Sequence, residues 1–195
     1  MNTEDLVRQH FTDSIETKIS TADTMSTKIA EAGQLMAQGL INGSKIFTCG
    51  NGCSAADAQH FAAQLINRYE MERPPLPAIA LTTNTSTITA VARDYHYNSV
   101  FSKQLYALAQ HDDILLAIST TGHSENILAA VKVAQEKDMK LIVLSGGDGG
   151  KLSGLLREQD IEIRVASNSA ARIHENHTLI IHCFCDLIDQ TLFGA

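Results

Sequence analysis

The chain has 195 residues, 44% of them hydrophobic and 19% charged, with a formal net charge of -7. That length suits one domain with enough apolar material for a core, and three prolines with no tryptophan argue against long disordered linkers. An acidic chain is a poor match to DNA or RNA, whose non-specific affinity comes from Lys and Arg on phosphates, so direct nucleic-acid binding is not expected.

The start, Met1 to Asp5, has no basic segment followed by an apolar run, so no signal peptide is expected. No stretch reaches the roughly 18 apolar residues of a membrane span. The expected location is cytoplasmic. Cys49, Cys53, Cys183 and Cys185 show no C-x-x-C spacing, which predicts buried, reduced thiols.

In chain order, residues 3–42 read as helix. Leu6, Phe11, Ile15 and Ile19 recur near helical period, followed by Met25, Ile29, Leu35, Met36 and Leu40. The stretch fits two helices, or one broken near residue 21, and ends at Asn42-Gly43. Residues 1–43 are thus an N-terminal helical segment for packing on the rest of the domain or on a neighbouring subunit. Lys45–Cys49 is a strand, and a helix over 55–69 follows the loop Gly50-Asn51-Gly52-Cys53-Ser54. Pro74, Pro75 and Pro77 precede a strand at 78–81. A helix over 99–110 leads to the apolar strand 114–118 and the loop Ser119-Thr120-Thr121-Gly122-His123-Ser124. The next helix carries Ile127, Val131 and Ala134. Strand 141–144, the glycine-rich loop 146–150, strand 161–165 and a helix over 170–191 complete the chain. Strands alternating with helices, several of them continuous apolar runs, predict an α/β fold with a mostly parallel sheet covered on both faces.

In such sheets ligands bind outside the carboxyl ends of the strands. The loops at 50–54 and 119–124 both follow a strand and open a helix, so their amides and the helix dipole suit an anion. The first is no Walker A loop, because it lacks the Lys. The second gathers four hydroxyls around a glycine and can wrap a phosphate with neutral donors. An ordinary capped turn has the same composition, since Ser and Thr are common N-caps. The two loops together favour phosphate binding.

The chain resembles the sugar-isomerase (SIS) family, in its phosphoheptose isomerase branch, and within that branch the DiaA-type adaptors that associate with the replication initiator DnaA. The resemblance spans nearly the whole chain. It rests on Cys49-Gly50-Asn51-Gly52, Ala58-Gln59-His60-Phe61-Ala62, Arg73-Pro74, Pro77-Ala78-Ile79-Ala80, Ile118-Ser119-Thr120, Asp148-Gly149-Gly150 and Ala171-Arg172-Ile173. It implies a single SIS domain over 1–195, a doubly wound five-stranded parallel sheet, and a homotetramer with ligand sites near subunit contacts. The sugar-phosphate site would fall on Asn51, Gly52, Cys53, Asp94, Ser119, Thr120, Thr121 and Ser124. The chain departs from the isomerase pattern in Cys53, Thr121 and His123. Of these, only Thr121 keeps the expected chemistry, a hydroxyl.

Aldose–ketose isomerisation needs a base to move a proton between neighbouring carbons and an acid to serve the oxygens. In phosphoheptose isomerases a helix carries H-x-x-x-E, and the last helix carries a Gln and a later His; this set can bind zinc. The matching residues are His60, Gln64, His174 and His182. His60 and Gln64, at i and i+4, share a helix face. His174 and His182 lie about 80° apart around an ideal helix. Gln64 stands where the family has its presumed base, and an amide cannot take a carbon-bound proton. A catalytic role would pass to His182 or His174, whose pKa lies near neutrality. The expectation is a pocket that kept its shape without catalysis, requiring no cofactor. Zn2+ remains an option on His60, His174 and His182 with Gln64 beside them, and His177 is assigned to helix packing.

The end of the chain, Cys183 to Phe193, resembles the terminus of the DiaA-type branch, which implies DnaA binding through Leu192 and Phe193. The alternative is that this pair packs the helix end onto the domain. The function expected is therefore a homotetrameric adaptor that binds DnaA and promotes its assembly at the chromosomal origin, on a phosphosugar-binding scaffold. The alternative is a sedoheptulose 7-phosphate isomerase of lipopolysaccharide heptose biosynthesis.

Overall fold

The computed structural model describes residues 2–194; Met1 and Ala195, the ends of the expected domain, lie outside it. Helix α1 runs unbroken from Thr3 to Ile41. Asn2 caps it by accepting from the Asp5 amide at 2.8 Å, while the Asp5 carboxylate accepts from the Asn2 amide. The expected break near residue 21 is absent. The Thr21 hydroxyl donates to the Thr17 carbonyl one turn back, at 2.8 Å, and so is satisfied within the helix. Asn42 and Gly43, the latter at φ +87°, end the helix as the sequence indicates.

Five strands follow: β1 (Ile46–Cys49), β2 (Ala78–Ala80), β3 (Ile114–Ser119), β4 (Lys140–Gly146) and β5 (Ile161–Val165). All pair in parallel, in the order β2-β1-β3-β4-β5. The expected doubly wound five-stranded α/β architecture is present. The order reverses between β1 and β3, and the crevice outside their carboxyl ends is where this topology places a ligand.

The remaining helices are α2 (Cys53–Ile66), α3 (Thr85–Asp94), α4 (Ser102–Leu108), α5 (Glu125–Glu136), the single turn α6 (Gly150–Ser153) and α7 (Ala170–Phe193), with a 3-10 turn at Tyr97–Ser99. Side chains alternate across β3. Ile114, Leu116 and Ile118 join a core with Met36, Phe61, Ile181 and Phe184 from α1, α2 and α7. Leu115 and Ala117 join the opposite core with Leu105, Ile127 and Val131 from α4 and α5. A strand buried on both faces is expected to be apolar, and β3 is so from Ile114 to Ile118, with only its last residue, Ser119, polar. At Gly33 a Cβ would lie 2.6 Å from Leu187 Cδ1, so glycine lets α1 close on α7.

Two corrections concern helices. Helix α3 was not anticipated: its apolar stripe is short, Ile88, Val91 and Ala92, which are partly buried against the core, and it holds no fully buried residue. Its signal was Asn84, whose side chain accepts from the Thr87 amide at 3.0 Å. The single helix expected over 99–110 is a 3-10 turn followed by the shorter α4. Among the described residues no helix is long and apolar enough to cross a membrane.

The four cysteines are free thiols, but their burial differs. Cys49 and Cys185 are buried, and burial pushes each thiol up to about 12. Cys183 is half-buried and Cys53 is exposed. The expectation of burial thus fails at Cys53, which opens α2 at the uncovered carboxyl edge of the sheet.

Candidate active site

Two loops meet at the topological switch. Gly50-Asn51-Gly52 leaves β1 and opens α2 at Cys53; Thr120 to Ser124 leaves β3 and opens α5. They are cross-braced by reciprocal amides: Asn51 Nδ2 donates to Asn126 Oδ1 and Asn126 Nδ2 to Asn51 Oδ1, both at 2.8 Å. Tyr97 Oη donates to Asn51 Oδ1 at 3.2 Å. Asn126 and Tyr97 were missed in the sequence, because nothing local marks an amide or a phenol that serves a loop far away in the chain.

Within the second loop, Ser119 Oγ accepts from the Gly122 amide at 3.1 Å. Gly122 has φ +64°, and a Cβ there would sit 1.9 Å from the Gly149 carbonyl oxygen. Only glycine lets the β3 and β4 loops approach this closely. Thr121 is exposed, and Thr120 and Ser124 are half-buried. Thr120 and Thr121 line a hollow of about 390 Å³ with Gly147, Asp148 and Ser167. Asn51 and Gly52 line a separate hollow of about 100 Å³ with Thr82 and Tyr97. Of the residues expected to form one sugar-phosphate site, Asn51, Gly52, Thr120 and Thr121 thus line two separate hollows, and Cys53, Asp94, Ser119 and Ser124 line neither of them. Asp94 ends α3, exposed, and accepts from its neighbour Arg93 at 2.7 Å.

The second group spans α2 and α7. His60 Nε2 and His182 Nε2 are 3.0 Å apart, and the Gln64 amide nitrogen is 3.5 Å from His60 Nε2. Tyr69 stacks on His182, with ring centroids 5.7 Å apart. A 3.0 Å contact between two ring nitrogens needs one proton between them, so one ring donates and the other accepts. Burial, followed by the neighbouring His182, holds the His60 pKa below its ordinary value, although Asp57 pulls it upward.

His174 stands apart from this trio. Its Nδ1 is 3.6 Å from Asp57 Oδ2, and its ring lies edge-on to that of His177. Eight residues of α7 rise about 12 Å, so His174 and His182 meet different turns of α2. His174 meets Asp57, one turn before His60. His177 is fully buried and donates through Nε2 to the Ser145 carbonyl at 3.0 Å. Burial lowers its pKa to about 4. Leu192 and Phe193 are partly buried and pack against the core beneath α7.

The parallel sheet in this order, with two glycine-containing loops opening helices at its switch point and a histidine pair on the flanking helices, defines a doubly wound α/β domain. The chain belongs to the SIS domain family, whose model matches residues 10–146. It is 58% identical over 187 residues to the phosphoheptose isomerase of Shewanella sediminis, covering 96% of this chain and 95% of that protein. It is also 58% identical over 195 residues to the phosphoheptose isomerase of Alkalilimnicola ehrlichii, covering all of both. The solved structure of a phosphoheptose isomerase from Francisella tularensis superposes with a TM-score of 0.95 at 51% identity, covering 97% of this chain and 100% of that one.

These relatives overturn the expected DnaA-binding adaptor. Likeness along the full length to proteins named as isomerases favours the alternative. The packing of Leu192 and Phe193 on the core accounts for that pair without a partner.

Proposed function

We propose that the protein is a phosphoheptose isomerase, interconverting sedoheptulose 7-phosphate and the corresponding aldose phosphate. The observation that carries this reading is the 3.0 Å contact between His60 Nε2 and His182 Nε2. It answers the objection raised by Gln64. A neutral histidine pair sharing one proton holds a general acid and a general base side by side. A substrate that enters between the rings meets one nitrogen with a proton and one with a lone pair. One can take the proton from the carbon beside the carbonyl while the other gives a proton to the carbonyl oxygen. The lowered pKa of His60 favours the neutral, base-competent ring near pH 7. The Gln64 amide, beside His60, orients that ring.

The phosphate would sit against Ser119, Thr120, Thr121 and Ser124 at the start of α5, with Asn51, Gly52 and Cys53 bordering the sugar. Asp94 would join them only from its exposed position at the end of α3. Zn2+ of the kind the resemblance implies would be held by His60 and His182, whose Nε2 atoms are 3.0 Å apart, with the Gln64 amide oxygen turned towards it and His174 turned away. Bound there, it would take up the two ring nitrogens and polarise the substrate oxygens as a Lewis acid in place of the proton-sharing pair.

We further propose self-association through α1. Leu6, Val7, Phe11, Ile15 and Ile19 form an exposed stripe at helical spacing, with Phe11 68% exposed. A second copy would cover it, consistent with the homotetramer that the resemblance implies.

The test is a coupled assay of the purified protein on sedoheptulose 7-phosphate. Turnover is expected, with kcat reduced at least about 100-fold in His182→Ala and the melting temperature little changed. Absence of turnover in the wild type, or full activity in His182→Ala, would overturn the reading.

A further inference from the structure

Three buried polar atoms without hydrogen-bond partners among the described residues converge between α2 and α7: Asp57 Oδ2, His174 Nδ1 and His177 Nδ1. One ligand atom from each of these three residues lies within 4.8 Å of the other two. Buried polar atoms are nearly always paired, so three orphans in one place call for a cause.

Their chemistry is fixed by what surrounds them. His177 Nε2 faces the Ser145 carbonyl, an acceptor, at 3.0 Å. Nε2 must therefore carry the hydrogen, leaving a lone pair on Nδ1. The ring is fully buried. Asp57 Oδ1 accepts from Thr178 Oγ1 at 3.0 Å, which leaves Oδ2 as a bare acceptor. Two acceptors cannot satisfy each other, so a proton donor or a cation has to lie between them. The ion-pair partner of the Asp57 carboxylate is a histidine, His174, at 3.6 Å. An inward-facing carboxylate is costly without a positive charge beside it.

We propose that Asp57, His174 and His177 form a binding site for a divalent transition-metal ion of the zinc class. One carboxylate oxygen and two imidazole nitrogens suit zinc, cobalt or nickel better than calcium or magnesium, which prefer all-oxygen sets. The outer contacts follow the pattern that orients metal ligands. The far nitrogen of His177 is tied to a backbone carbonyl, and the far oxygen of Asp57 is held by Thr178. Ligand atoms on a tetrahedral ion lie roughly 3.3 Å apart. The half-buried His174 has room to turn in and complete the set. This site is separate from the His60–Gln64–His182 group, which sits further along both helices. An ordered water, donating to Asp57 and His177 and accepting from His174, is the competing occupant.

The experiment uses the full-length protein, stripped with a chelator and titrated with Co2+ by visible absorption and with Zn2+ by calorimetry. The wild type is expected to bind, and the His60→Ala/His182→Ala double variant to keep one site of unchanged affinity. Asp57→Asn should weaken that site at least about 10-fold and abolish any rise in melting temperature on adding zinc. If Asp57→Asn fails to fold, His174→Ala, nearer the surface, gives the same reading. Wild-type affinity in the Asp57 and His174 variants overturns the proposal, as does loss of all binding in the double variant. So does a crystal grown in zinc whose density between the three atoms lacks anomalous signal, which would assign the place to water.

Discussion

Arg73 and Asp189 form an ion pair in the interior: Arg73 Nε donates to Asp189 Oδ1 at 2.7 Å, with the side chains 1% and 3% exposed. The same guanidinium donates to the Gln64 and Leu65 carbonyls at 2.9 and 2.7 Å. One side chain thus closes the end of α2 and clamps it to α7, the two helices that bring His60 and His182 together. Removing one partner leaves the other charge buried and uncompensated. Asp189→Ala is expected to cost roughly 3–5 kcal/mol in urea denaturation, whereas an apolar pair such as Arg73→Met with Asp189→Leu should recover much of that loss.

Gly122 is where a single methyl group should act on both folding and binding. Its φ of +64° and the nearness of the Gly149 carbonyl leave no space for a Cβ. Gly122→Ala is expected to destabilise the domain by about 1–3 kcal/mol and to weaken calorimetric binding of a sugar phosphate. An unchanged melting temperature would show that the two loops separate readily.

The stripe on α1 can be tested without touching the site. Phe11→Asp should lower the mass measured by sedimentation while the helical circular dichroism of the chain persists. A stripe that merely tolerates solvent would leave the mass unchanged.

Glu162 offers a prediction on pH. Burial alone would push its carboxyl up, but hydrogen bonds from Arg164, Ser145 and Ser153 outweigh it and hold the pKa below the ordinary value of 4.5. A carboxyl lowered on folding adds stability that is fully present above its unfolded pKa and is lost as pH falls through the folded value. Melting temperature should therefore decline below about pH 4.5, and Glu162→Gln should flatten that part of the curve while lowering stability at pH 7.

Much of the fold was legible because the signals were local. Apolar runs such as 114–118 marked strands, and Gly-containing loops marked their ends. The unbroken α1 was less legible, since whether polar residues such as Thr21 interrupt a helix depends on hydrogen bonds made within it. Helix α3 escaped because its apolar stripe, Ile88, Val91 and Ala92, is only three residues long among threonines and is only partly buried. At the site, the i, i+4 spacing placed His60 beside Gln64, and the period of α7 left His174 and His182 within range of either. The sequence could not tell that α2 and α7 run side by side in the same direction, so that the two α7 histidines address different turns of α2. The functional expectation weighed His182 or His174 as a replacement for the base missing at Gln64 and preferred a loss of catalysis, without foreseeing that His60 is held against His182. A histidine already held against another can supply that chemistry.

Cys53 stands exposed at the start of α2, beside Asn51 and Gly52, while Cys49 and Cys185 are enclosed and their thiols pushed up to about 12. One sulfur is thus open to a passing electrophile at the rim of the cleft, and two are shut away. A fluorescent maleimide would place its dye at that rim with little competition from the core, making the native chain its own reporter of cleft occupancy.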